Sequence, residues 1–280
     1  MDTHRHTGAC QGKEIEKYEV DFIFRYALLS SNAEGWDHPK TARGQAPRRQ
    51  FDHMENANAA SDGPQMRPKS TAVAEREGTV MSAGRLSGRV AIVTGAGRGL
   101  GRSYALALAA HGAAVVVNDL GGDLHGVDRD ATPAQSVVAE IVAGGGREVV
   151  SGHDVADWSD AKALIDLAAT TFGGLDILVN NAGILRDRLF ANMSEEEWDA
   201  VIRVHLKGHA ATSRHAMEFW RNRSKSGEPV AASIVHTTSL AGLIGNFGQA
   251  NYAAAKLAVV GLSRTLALEG AKYGVRSNAV

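Results

Sequence analysis

A chain of 280 residues, 44% of them hydrophobic, can bury one sizeable core, which excludes the small classes that need disulfide or metal staples. Its 30 basic and 31 acidic residues leave a net charge of -1, so no global field draws it to nucleic acid or to an anionic membrane surface. Cys10 is the sole cysteine, which excludes an intramolecular disulfide and a cysteine-built zinc site and fits a reducing, cytoplasmic setting.

In chain order, the first 80 residues carry linker composition. Pro39, Pro47, Pro64 and Pro68 fall among polar runs such as "PKTARGQAPRRQ". The segment "FIFRYALL" is too short to span a bilayer and is interrupted by Arg25. Residues 14–30 could form a short helix or strand, but no partner pattern follows them. Residues 1–80 are therefore expected to be a poorly ordered N-terminal extension, upstream of a compact domain over 81–280 whose Met81 reads as an alternative start.

From residue 89 the pattern changes to apolar runs alternating with segments long enough for helices. "RVAIVT", "AAVVVND", "REVVSGHDV", "LDILVNN", "ASIVHTTS" and "VRSNAV" read as strands. Such alternation predicts an α/β fold, a doubly wound parallel sheet of Rossmann type, with strands buried on both faces. The first strand runs into "TGAGRGLG". Glycine spacing there departs from GxGxxG, because Leu100 stands where the last glycine belongs, but Gly95, Gly99 and Gly101 give TGxxxGxG. Glycines in such a loop permit a tight turn and a close approach of backbone amides to a pyrophosphate at a helix N-terminus. The loop Gly95, Arg98, Gly99, Leu100 and Gly101 is thus a candidate dinucleotide cradle.

Asp119 closes the second strand, where this fold puts a carboxylate on the adenosine ribose. A carboxylate there repels a 2'-phosphate and favours NAD; Arg98 pulls toward NADP, and Asp119, at the discriminating hydroxyl, weighs more. Asp154 and Val155 follow the third strand and could border the adenine. "NNAG", with Asn181, Ala182 and Gly183, ends the fourth strand where the sheet opens onto cofactor. His205, His209 and His215 lie in one helical region, but without a carboxylate or third ligand at recognisable spacing they are read as a polar flank and no metal site is expected. Tyr252 and Lys256 stand at i and i+4 on a helix whose Leu257, Val260, Leu262, Leu266 and Leu268 should seek the core. A lysine beside a phenol favours the phenolate, which makes Tyr252 a candidate general acid or base.

Together, TGxxxGxG, NNAG and a serine, Ser239, upstream of the YxxxK pair resemble the short-chain dehydrogenase/reductase family over about residues 85–280. The resemblance implies that Ser239 hydrogen-bonds the substrate oxygen, Tyr252 exchanges its proton, and Lys256 supports the tyrosine and binds the nicotinamide ribose. It departs from the family at "VHLKG", where His205 occupies the place of an asparagine that helps hold a relay water. "VVVNDLGGD", "GILRDRLF", "RVHLKGH" and "GNFGQANYAAAK" look like the branch that oxidises (3R)-hydroxyacyl-CoA with NAD in peroxisomal multifunctional enzymes and bacterial relatives. That implies an acyl-CoA substrate, for which Arg186, Arg188 and Lys207 are candidate contacts beside their reading as solvated charge. It also implies a homo-oligomer, dimer or tetramer, built on the helix bearing Tyr252 and on residues 196–223.

The expected activity is NAD-linked interconversion of a secondary alcohol and a ketone on a 3-hydroxyacyl or 3-oxoacyl thioester. Two alternatives stand beside it: an NADPH-dependent 3-oxoacyl reductase, and a catalytically impaired cofactor-binding fragment, since the sequence ends near the sixth strand where the family continues.

Overall fold

The computed structural model describes residues 84–127 and 130–280, so the expectations for the N-terminal 80 residues lie outside the described residues. Six strands form one parallel sheet: β1 (Val90–Thr94), β2 (Ala114–Asn118), β3 (Arg147–Ser151), β4 (Ile177–Asn180), β5 (Ala232–His236) and β6 (Val275–Ala279). Their order is β3-β2-β1-β4-β5-β6, so the chain winds outward from β1 in one direction and then in the other. Each predicted strand is found. β1, β2, β4 and β5 are buried along their whole length, while β3, at an edge with one neighbour, is only partly covered.

Alternation along β1 divides the core into two layers. Ala91 and Val93 point to one face, with Tyr104 and Leu108 of helix α1 (Gly99–Ala110) and Val137 and Ile141 of α2 (Thr132–Ala143). Val90 and Ile92 point to the other, with Leu164 and Ile165 of α3 (Trp158–Phe172) and Trp220 of α5 (Gly208–Lys225). The Trp220 indole N–H finds a partner in Leu175 O at 2.6 Å, so the ring is buried without an orphaned donor.

Between β4 and α5 lies α4 (Glu195–Ile202), opened by a capping box in which Ser194 and Glu197 satisfy each other's backbone amides. A single π-helical turn, Arg203–Lys207, joins α4 to α5 and carries His205. The short α6 (Leu240–Ile244) follows β5, and α7 (Ala250–Gly270) carries Tyr252 and Lys256.

The expectation for α7's apolar residues holds only in part: Leu266 packs against the core, and Val260 and Leu262 are half-buried, but Leu257 and Leu268 are not. Leu257 is 50% and Leu268 82% exposed, and the buried residues are Asn251, Ala255, Lys256, Val259, Ser263 and Gly270. Small side chains face inward because the helix sits close to β6: a Cβ on Gly270 would lie 3.0 Å from Val275 O, and Ser263 Oγ meets Ser277 Oγ at 3.0 Å. Leu257 and Leu268 are left on the outer face.

Candidate active site

The glycine loop leaves β1 at Thr94 and enters α1 at Gly99. Gly95 and Gly99 have φ of +63° and +52°, and a Cβ on Gly101 would stand 2.0 Å from Gly95 O, so this turn excludes a side chain there. No side chain caps α1, whose first-turn amides remain free for an anion. The loop is bolted to the end of β4. Asn181 Nδ2 donates to Thr94 O (3.0 Å) and Gly95 O (3.2 Å), and the Thr94 hydroxyl accepts from the backbone N–H of Asn181 (2.9 Å) and Ala182 (3.0 Å).

Asp119 is fixed by two amides. Gly97 N–H donates to Oδ2 and Gly121 N–H to Oδ1, both at 2.7 Å. Asp154 receives Arg203 NH2 at 2.7 Å, which ties the β3 loop to the π turn. Arg98 NH1 donates to Gly122 O at 2.9 Å.

Lys256 is 2% exposed, its Nζ donates to Thr237 O at 2.6 Å, and it lies 5.6 Å from the centre of the Tyr252 ring. Burial pulls the Lys256 ammonium down to about 8. The His205 ring meets Tyr252 edge-on at 5.2 Å. Its Nε2 lies 2.9 Å from Ile184 O and 3.1 Å from Ile184 N, so one tautomer donates to the carbonyl and the other accepts from the amide. Burial first, and the Lys256 charge second, push its pKa down to about 3, so it is neutral at pH 7. Ser239 starts α6 and accepts the Ala241 N–H at 3.2 Å. A Cβ on Gly242 would lie 2.8 Å from Leu257 N, so this glycine lets the Ser239 helix press against α7 beside Lys256.

One cavity of about 610 Å3 joins these parts, with the glycine loop and Asp119 at one end and His205, Tyr252 and Lys256 at the other. Every candidate catalytic and cofactor-binding residue singled out from sequence lines it except Gly101, which is a packing glycine, and Ser239. A short chain dehydrogenase family model matches residues 89–280.

The chain belongs to the short-chain dehydrogenase family.

Among its relatives, this chain is 47% identical over 196 residues to the peroxisomal multifunctional enzyme type 2 of Mus musculus, covering 70% of this chain and 25% of that protein. It is 47% identical over 201 residues to the hydroxyacyl-CoA dehydrogenase ChsB1 of Mycobacterium tuberculosis, covering 70% and 61%. The chain thus spans a quarter of the length of the mouse enzyme and under two thirds of the mycobacterial one. A solved short chain dehydrogenase from Mycobacterium avium superposes with a TM-score of 0.66 at 57% identity, covering 69% of this chain and 67% of that one.

The site is also held together by residues that motif reading passed over. Thr94 is the threonine of TGxxxGxG, legible as part of the motif but not as the knot between two loops. Gly97 has no room for a side chain, since a Cβ would sit 2.8 Å from Asp119 Oδ2. Asn251, directly before Tyr252, is buried; its Nδ2 donates to Arg186 O and Glu197 O at 3.1 Å and its Oδ1 accepts the Tyr252 N–H at 2.7 Å. It anchors the start of α7.

The three candidate cations separate. Arg186 lines the cavity, Arg188 is held by both oxygens of Glu197, and Lys207 is exposed away from the cavity. His209 and His236 stack at 5.3 Å with their Nδ1 atoms 3.2 Å apart, buried behind Lys256. Among the described residues no group of three His, Cys, Asp or Glu could hold a metal, and no helix is long and apolar enough to cross a membrane.

Proposed function

We propose that this chain interconverts a 3-hydroxyacyl and a 3-oxoacyl thioester with NAD. The observation that carries the reading is the single cavity that joins an anion-ready glycine cradle to the Tyr252–Lys256 face. Its walls fit a dinucleotide: the loop glycines leave room for a pyrophosphate, the first-turn amides of α1 are uncapped, and the Asp119 carboxylate stands ready for ribose hydroxyls. Bound there, the nicotinamide gives or takes the hydride.

The chain's own residues handle the oxygen. Tyr252 passes a proton between its hydroxyl and the substrate oxygen, and Ser239 donates a hydrogen bond to that oxygen. Lys256 holds positive charge beside the phenol and offers its remaining N–H groups to the nicotinamide ribose. His205 acts as a neutral hydrogen-bonding partner of Ile184, because a group at about 3 does not titrate in the working range. Asp119 opposes a 2'-phosphate, while Arg98 already serves Gly122 O. The thioester class is supported by the names of similar proteins, a hydroxyacyl-CoA dehydrogenase and, at 44% identity, a 3-oxoacyl-[acyl-carrier-protein] reductase of Synechocystis. We also propose a homo-oligomer in which a second copy covers the exposed leucines of α7.

The test is a fluorescence titration with NADH and NADPH, followed by turnover of 3-hydroxyacyl-CoA by the parent and Tyr252→Phe. NADH binds more tightly, and Tyr252→Phe retains binding while losing about 10² to 10⁴ in turnover. Preferential NADPH binding supports the reductase alternative, and binding without turnover supports a cofactor-binding fragment.

A further inference from the structure

The loop after β2 does more than carry Asp119. In the sheet, β2 and β4 flank β1, so a segment that leaves β2 and touches the chain beyond β4 must cross the C-terminal end of β1, where the glycine cradle opens. Residues 120–127 do this. Leu185 N–H donates to Leu124 O at 3.0 Å, and His125 Nδ1 lies 3.2 Å from Leu185 O, the distance of a hydrogen bond from the Nδ1–H tautomer. Gly126 rests against Ile184: a Cβ there would stand 3.0 Å from Ile184 Cγ2, and its φ is +74°.

The segment is folded for this position. Asp123 Oδ1 accepts the N–H of His125 (2.9 Å) and Val127 (2.8 Å), Gly126 N–H donates to Asp123 O (2.9 Å), and Gly121 O accepts the Asp130 N–H (3.0 Å). At its root it is moored to the cradle through Gly97–Asp119–Gly121 and Arg98–Gly122. Leu120, Gly122, Asp123, Leu124 and Gly126 line the same cavity as the glycine loop.

We propose that residues 120–127 are a strap across the dinucleotide groove, latched at Leu185 by His125 and Leu124, which must unlatch for a nicotinamide dinucleotide to enter or leave. The proposal rests on the cofactor reading above. The root is built into the cradle, whereas the tip at Leu124–Gly126 is held across the groove by two hydrogen bonds and one glycine contact, so the latch is the part that opens. Because the strap is closed before a ligand arrives, loosening the latch speeds entry and release together.

Stopped-flow NADH binding to the parent, His125→Ala and Gly126→Val tests this, with amide hydrogen exchange at Leu185 in the unliganded chain as a second readout. Expected are association and release rates both raised about three- to tenfold, a Kd within about threefold of the parent, and faster Leu185 exchange. Rates within twofold of the parent in both variants overturn the strap, as does faster release at unchanged association, which marks a ligand contact and no latch. A folded parent that binds no NADH removes the cofactor reading itself.

Discussion

Around Lys256 the chain buries three imidazoles on three elements: His205 on the π turn, His209 on α5 and His236 on β5. Burial lowers all three pKa values, with the Lys256 charge a further cause in each; His205 and His236 are pulled down to about 3 and His209 is lowered as well. The folded state then binds fewer protons than the unfolded one between pH 6.5 and 3, so stability falls as pH drops through this window. For His205 and His236 the loss between pH 6.5 and 5 is about 1–2 kcal/mol each, to be read from urea midpoints, and His236→Asn should shrink that loss by its own share. At the mouth of the cluster, Gly183 has no side chain because a Cβ would lie 2.4 Å from His205 Cε1. Gly183→Ala should therefore cost about 1–3 kcal/mol, and His205→Ser should recover most of it in the double variant, a coupling that a cycle of urea melts measures.

At the scale of elements, α6 and α7 are joined through the missing side chain of Gly242. Gly242→Ala should push α6 off α7, displace Ser239 and lower turnover about tenfold or more, with NADH affinity changed by less than threefold. The sheet and the cradle were legible in sequence because strand alternation and glycine chemistry are local. Val90–Thr94 and the loop after it announce themselves within a dozen residues. What was not legible depends on distance between elements. Which face of α7 is buried follows from how near β6 stands, and that favours Ala255 and Ser263 over Leu257 and Leu268, against the pull of side-chain hydrophobicity. Asn251 escaped notice for a similar reason: its partners, Arg186 O and Glu197 O, lie on another loop and another helix.

For the molecule as a whole, the leucines turned outward on α7 form an apolar face that water meets at a cost. Leu257→Lys with Leu268→Glu should turn the proposed oligomer into a monomer in sedimentation, at little cost to the core that neither residue enters. The knot of Thr94 with Asn181 and Ala182 reaches further, into the order in which the protein takes shape as it is made. β1 is among the first strands of the domain to be synthesised, but its β4 partners come 86 residues later and the amides that Thr94 accepts come 87 and 88 residues later. At synthesis rates of roughly 5–20 residues per second, β1 spends on the order of 4–18 s with one edge unpaired. Throughout that interval the glycine loop has its bonds to Asn118, Asp119 and Gly122 but lacks those to Asn181 and Ala182, so a nascent chain halted before Asn181 should show no NADH affinity, and the cradle is complete only when the middle of the domain arrives.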